Sequence, residues 1–240
     1  MSIPDTISVS VWRGAAQGRF VSYRVPLNEN QTVLDTITWI QRYDDPSLSY
    51  RFACRVGMCG SCAMTVNGIP RWTCRTHVNN VLSDGTLEVA PLKNLPVIKD
   101  LAVDMSPFFD KMAAAHGAFH PPEGKREDFA RVPPHSTQRR EADAGIECIG
   151  CAVCYAACDV VAWDPDYLGP AALNRAWTLL NDERDAGRRE RLQAVAGAGG
   201  CHSCHVQQGC VRHCPKHLNP TASIAGLKRA AAAAVLKGTL

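Results

Sequence analysis

Hydrophobic and polar positions alternate from the start of the chain. Ile7, Val9 and Val11 are separated by serines, and residues 20–27 form a second β-prone run, so residues 6–27 predict a two-stranded hairpin. The period then lengthens. Val33, Leu34, Ile37 and Ile40 recur at helical spacing and predict a helix over 32–43, opened by Thr32 and Asp35 as a capping box in which Asp stands for Glu. Asn67-Gly68, between the runs 64–66 and 69–72, predicts a type I′ hairpin, and residues 86–89 supply a last strand. Residues 91–104 carry two prolines and lead into helical texture, so a domain boundary is expected there, giving domains of residues 1–98 and 99–240. Residues 116–140, rich in Pro, charge and His, predict an irregular surface-wrapping segment. Beyond it the chain reads as helical: Pro170 opens a helix over 171–182, and Pro220 opens one over 223–237 that Gly238 ends. No strand signal of comparable quality follows residue 105. The fold class expected is α+β, a strand-rich domain followed by an all-α one.

Composition narrows the function without naming it. At 240 residues, 46% hydrophobic and 20% charged, the chain has the make-up of an ordinary globular protein of one to two domains. A net charge of +3 without a dense basic run does not argue for nucleic acid. No 18-residue apolar stretch is present to span a bilayer, and the opening Met-Ser-Ile-Pro-Asp lacks the features of a signal peptide, which predicts a reducing cytosolic compartment. Twelve cysteines in that compartment point to metal and not to disulfides.

The cysteines fall into spaced groups. Cys54-x4-Cys59-x2-Cys62, with Cys74 beyond, has the plant-type [2Fe-2S] spacing. Gly57 and Gly60 let the loop backbone fold over a cluster, with N–H groups free to bond sulfur. The competing reading is a four-cysteine zinc site. Arg51, Arg55 and Arg71 surround the group, either as a solvated basic face or as groups that tune it or dock a partner.

Cys148, Cys151, Cys154 and Cys158 follow the x2, x2, x3 run of bacterial ferredoxins, in which the fourth cysteine ligates a different cluster. The partner run holds Cys201, Cys204, Cys210 and Cys214, the last followed by Pro215. Crossing over, Cys214 joins Cys148, Cys151 and Cys154 in a [4Fe-4S] cluster, and Cys158 joins Cys204 and Cys210. Counted back from Cys214, the missing ligand position is 207, which is Gln. Three thiolates predict [3Fe-4S]. Cys201 is the competing fourth thiolate, and a zinc site of Cys201, Cys204 and two nearby histidines also fits the spacing, though it strands Cys158 and Cys214.

No dinucleotide fingerprint, Walker sequence or serine nucleophile elbow is present, so three clusters would make an electron wire whose substrate chemistry happens on another subunit. At this point the chain resembles the iron-sulfur subunits of the succinate dehydrogenase and quinol:fumarate reductase family. The residues that carry the resemblance are Cys-Arg-Val-Gly-Met-Cys-Gly-Ser-Cys at 54–62, Pro-Val-Ile-Lys-Asp-Leu-Ala-Val-Asp at 96–104, the run 147–158, Leu-Gly-Pro-Ala-Ala at 168–172 and Cys-Pro-Lys-His-Leu-Asn-Pro at 214–220. The resemblance implies a β-grasp [2Fe-2S] domain and a helical ferredoxin domain. It further implies a place between an FAD-bearing flavoprotein and membrane anchor subunits, at the cytoplasmic face of the inner membrane, with quinone as the other redox partner. It also leaves Cys201 outside the ligand set, and it puts Trp163 and His205 near the quinone and Lys228 near that interface. One position departs from the family: Asp159 follows Cys158 where a proline is usual. The other reading is a subunit of a soluble thiol-linked fumarate reductase or related dehydrogenase without a quinone site, which tends to carry two complete cysteine runs.

Overall fold

The structure, a computed structural model, describes residues 6–124, 129 and 132–240. It divides into two compact units, the first ending at Met105 and including Ile149–Ala157, the second made of Ser106–Cys148 and Cys158–Leu240. The strands are β1 (Thr6–Arg13), β2 (Arg19–Pro26), β3 (Ala63–Val66), β4 (Ile69–Trp72), β5 (Thr86–Ala90), β6 (Val97–Lys99) and β7 (Ala102–Val103). The helices are α1 (Val33–Tyr43), α2 (Ser106–Ala114), α3 (Thr137–Ile146), α4 (Val153–Ala156), α5 (Asp159–Trp163), α6 (Pro170–Leu180), α7 (Arg188–Ala196), α8 (Gly209–Arg212) and α9 (Pro220–Leu236).

In the first unit, five strands form a mixed sheet in the order β2-β1-β5-β3-β4, with β1 and β5 parallel and the other neighbours antiparallel. The period-two residues Ile7, Val9, Val11, Leu87 and Val89 turn inward to meet Val33, Ile37 and Ile40 of α1 in one core. The capping box forms as expected: Thr32 Oγ1 accepts from the Asp35 amide at 3.2 Å, and Asp35 accepts from the Thr32 amide at 3.1 Å. Asn67 (φ +47) and Gly68 (φ +76) make the turn between β3 and β4. The Asn67 side chain adds what the turn alone would not, accepting from the Glu88 amide at 2.8 Å and donating to the Val81 carbonyl at 2.6 Å.

The boundary expected after residue 98 lies inside β6, where the sequence suggested the approach to a helix. Residues 97–103 instead make a two-stranded hairpin that turns at Asp100 (φ +52). The buried Asp100 carboxylate accepts from the amides of Gly14 at 2.7 Å and Ser49 at 2.8 Å and pairs with Arg13 at 3.1 Å. These bonds hold the hairpin to the first unit, and the chain becomes helical only at Ser106.

In the second unit, α6 is surrounded by α2, α3, α7 and α9. Gly226 of α9 lies against the Trp177 ring, where a Cβ would sit 2.5 Å from the nearest ring atom. The helix ends as expected at Gly238 (φ +63): the Gly238 and Thr239 amides donate to the carbonyls of Val235 and Ala234, a Schellman closure. Helix α3 begins at Thr137, within the stretch expected to be irregular, because Ser136 caps it by accepting from the Arg139 amide at 2.9 Å. Its sequence gave no periodic signal, since only Ala142 and Gly145 are buried. Residues 125–128, 130 and 131 of that stretch lie outside the described residues.

Arg191 is fully buried in this unit, paired with Asp185 at 2.5 Å and donating to the carbonyls of His116 at 3.0 Å and Ala118 at 2.9 Å. Removing one partner of such a pair strands the other charge without water. Arg191→Met is expected to cost about 3–5 kcal/mol and to lower the thermal midpoint by on the order of 10 °C. A calorimetric midpoint within a degree or two of wild type would contradict this.

Candidate iron-sulfur centres

The first cysteine group is assembled within the first unit. Cys54, Cys59 and Cys62 lie on the loop before β3, and Cys74 sits in a single turn just after β4. Thr73 fixes that turn to the loop, since its amide and its hydroxyl donate to the Cys62 carbonyl at 3.2 and 2.7 Å. Three backbone amides, of Val56, Met58 and Cys59, point at Cys54 Sγ at 3.4, 3.2 and 3.3 Å. The Cys54 amide, then the Ser61 hydroxyl, hold the Cys59 thiol down at about 6. Burial, then the neighbouring Cys62, push Cys74 up to about 12. A loop that directs amide and hydroxyl protons at sulfur fits thiolates ligating iron, whose negative charge those donors offset.

The two loop glycines have separate tasks. Gly57 (φ +74) passes under the Trp72 ring, where a Cβ would come within 2.8 Å. Gly60 (φ +71) passes against Cys151, where a Cβ would lie 2.5 Å from the Cys151 Cβ. Of the three arginines, Arg51 donates to the Val103 carbonyl at 2.8 Å, while Arg55 lies 4.6 Å over the Phe52 ring and 3.7 Å from Asp35. The Nε of Arg71 is buried. Arg51 and Arg55 are exposed and Arg71 is half-buried, so a solvated basic face still describes the first two.

The second run is divided by the fold. Cys151 and Cys154 belong to the segment grouped with the first unit, where Asn94 Nδ2 donates to the Tyr155 carbonyl at 3.0 Å. Cys148 and Cys214 belong to the second unit. There Glu147 and Lys216, one residue before Cys148 and two after Cys214, form an ion pair at 3.5 Å, and the Leu218 amide donates to Cys214 Sγ at 3.4 Å.

The third group also lies in the second unit. Burial raises the Cys158 and Cys210 thiols, and each is raised further by the charge of Cys204, with Cys158 adding to Cys210. Amides of Val161 and Val160 oppose the shift at Cys158, and the Thr221 hydroxyl, 3.5 Å from Cys210 Sγ, opposes it at Cys210. Cys158, Cys204 and Cys210 are therefore within electrostatic reach of one another. Cys201 is fully buried, which raises it, while the Lys228 ammonium acts in the opposite sense.

The two runs repeat one backbone pattern 56 residues apart. Gly150 and Ala152 flank Cys151 with φ +62 and +60, and Val206 and Gln208 flank Gln207 with φ +58 and +62. A four-residue helix follows each, α4 after Ala152 and α8 after Gln208. Gln207 thus occupies the local backbone that Cys151 occupies in the first run. Val206 shows the pattern's strength, because a β-branched residue rarely enters the left-handed region.

Of the residues expected near quinone, His205 and Trp163 are exposed, one directly after Cys204 and the other at the end of α5. Lys228, half-buried on α9, donates to the Cys204 carbonyl at 2.9 Å. Asp159 is exposed in the first turn of α5, and its charge contributes to raising Cys158. Among the described residues, no disulfide forms, and no three His, Cys, Asp or Glu side chains converge on a point suited to one ion. A cluster asks for a different arrangement, since its thiolates are shared among several irons. The hydroxyls of Ser61 and Thr221 that face sulfur were not found from sequence, because they follow no ligand spacing.

Residues 8–110 match a 2Fe-2S iron-sulfur cluster binding domain and residues 147–219 a 4Fe-4S dicluster domain. Over 228 residues the chain is 38% identical to a fumarate reductase iron-sulfur subunit of Mycobacterium tuberculosis, covering 92% of this chain and 89% of the relative. The chain belongs to the succinate dehydrogenase and fumarate reductase iron-sulfur subunit family. A mitochondrial succinate dehydrogenase [ubiquinone] iron-sulfur subunit of Oryza sativa is 35% identical, over 86% of this chain and 74% of its own. A chain of the Mycobacterium smegmatis Sdh1 complex in the apo form superposes with a TM-score of 0.86 at 29% identity, covering 96% of this chain and 97% of that one. As a family member the chain is an electron-transfer subunit of an oxidoreductase, with the α+β fold that its sequence predicts. A soluble thiol-linked enzyme is not favoured by these relatives.

Proposed function

We propose that this iron-sulfur subunit relays single electrons between an FAD-bearing flavoprotein and a membrane quinone, held by anchor subunits at the cytoplasmic face of the inner membrane. Cys54, Cys59, Cys62 and Cys74 hold [2Fe-2S]; Cys148, Cys151, Cys154 and Cys214 hold [4Fe-4S]; Cys158, Cys204 and Cys210 hold [3Fe-4S]. Bound clusters supply the one-electron carriers. The protein's part is to place thiolates and to offset their charge with donors. Val56, Met58 and Cys59 do so for Cys54 through their amides, and Lys228 anchors the loop of Cys204 and His205 through its carbonyl contact. His205 and Trp163, both exposed, offer an imidazole and an aromatic face to quinone. Among the described residues no helix is long and apolar enough to cross a membrane, and attachment through anchor subunits, as the resemblance implies, requires none.

The observation that carries this reading is the mutual proximity of Cys158, Cys204 and Cys210, together with Gln207 in the backbone setting of a ligand. Redox titration of the purified complex followed by electron paramagnetic resonance tests it. An oxidised three-iron signal and two signals of reduced clusters are expected. A third cluster that is silent when oxidised would overturn it and make Cys201 a ligand.

A further inference from the structure

We infer that the cavity between the start of α7 and the end of α9 takes the phosphate headgroup of an anionic phospholipid, giving this chain a membrane contact of its own. The inference goes beyond attachment through anchor subunits and depends on no cluster assignment.

The cavity has a volume of about 300 Å³ and is lined by Ala186, Arg188, Arg189, Leu192, Thr239 and Leu240. Its two charged side chains are both guanidinium groups. The walls are fixed by the fold, since α7 and α9 pack on each other and Leu192 is buried. Thr239 is tied to the Ala234 carbonyl through its amide at 3.0 Å and its hydroxyl at 3.2 Å. Arg188 donates from Nη1 to the Leu180 carbonyl at 2.8 Å, which sets its side chain in place. Among the described residues Arg189 makes no hydrogen bond or ion pair.

These arginines are the first two residues of α7, where a cation opposes the helix dipole and Gly187 supplies no side-chain cap. Glu190, in the same turn, does not line the cavity. The arginines thus add positive charge where the helix end is already positive, and Arg189 has no bond within the fold to account for it. An anion in the cavity would offset both. Guanidinium groups suit phosphate best, because their N–H donors pair with its oxygens.

The surroundings decide which phosphate. Leu236 is 88% exposed, Val235 63% and Leu240 38%, all at the end of α9, and the exposed Lys237 stands among them. A free phosphate or an acidic peptide gives these aliphatic side chains no cover. Aliphatic groups beside lysine and arginine suit a surface that dips into a headgroup layer, where acyl chains meet the former and phosphates the latter.

The test is co-sedimentation of the full chain, reconstituted with iron and sulfide, with vesicles of phosphatidylcholine or of equal parts phosphatidylcholine and phosphatidylglycerol at one ionic strength. Binding to the mixed vesicles is expected, falling at least about tenfold in Arg188→Gln/Arg189→Gln, since each arginine at an anionic surface contributes about fivefold. Leu236→Ser is expected to weaken it severalfold at unchanged charge, and Arg19→Gln, which removes an exposed arginine of β2, to leave it unchanged. No preference for the mixed vesicles overturns the inference, as does an equal loss in Arg19→Gln, which would reduce the binding to general charge attraction. A thermal midpoint raised by inorganic phosphate without binding to either vesicle also overturns it and gives the cavity to a soluble anion. If the double variant misfolds, Arg189→Gln and Leu236→Ser carry the test, because both side chains are exposed, and wild-type binding by both overturns the inference.

Discussion

Gln207→Cys is expected to convert the [3Fe-4S] cluster proposed for Cys158, Cys204 and Cys210 to [4Fe-4S], with near-complete loss of the oxidised paramagnetic signal and one more iron per chain. Spacing alone nominates this position, but the backbone supplies the stronger reason. Residues 206 and 208 are left-handed, as residues 150 and 152 are around Cys151, and both segments lead into a four-residue helix. A thiol at 207 would be presented by the same local backbone that presents Cys151. The exposed glutamine has no buried partners to lose, so little stability is at stake. An unchanged oxidised signal with unchanged iron content would refute the conversion and the reading of position 207 as the vacant ligand corner.

Gly60→Ala carries the second large effect. An alanine there must adopt φ +71, at about 1–2 kcal/mol, and must place a methyl 2.5 Å from the Cys151 Cβ and 2.9 Å from its Cα. Neither atom belongs to a flexible side-chain end, so the ligand loop and the 149–157 segment have to part. Overpacking of this kind adds about 1–3 kcal/mol. Gly68→Ala is the control, since it has a similar φ of +76 with nothing within 4 Å and meets the backbone strain alone. Gly60→Ala is expected to lower the thermal midpoint and the iron content of the purified protein and to slow electron transfer out of [2Fe-2S]; Gly68→Ala is expected to change stability only. Equal behaviour of the two variants would show that the approach to Cys151 is unimportant.

What could be read from the sequence was whatever one residue type or one period decides. The sheet and α1 were legible because Ile7, Val9, Val11 and Val33, Ile37, Ile40 each bury one face at a single period. The cysteine groups were legible because ligand spacing is set by cluster size, whatever surrounds it. The β6–β7 hairpin was not, because it is held by Asp100 reaching amides 86 and 51 residues away, and no local pattern records such bonds. Helix α3 escaped notice for the opposite reason: it packs small residues, Ala142 and Gly145, against α6, and small residues leave no apolar stripe. Thr221 follows no ligand spacing in the sequence, and only the fold turns its hydroxyl toward sulfur.

The first unit draws residues 149–157 from far along the chain, and this bears on the order in which the protein is made. The sheet cannot close until β5 has left the ribosome to pair with β1, since its register from Ser8–Thr86 to Val11–Val89 joins residues 78 apart in sequence. By then all four cysteines of the first group have been synthesised, yet the flank of their loop at Gly60 stays uncovered until Cys151 emerges. Until residues 149–157 are made, the loop of the first group therefore lacks its cover at Gly60.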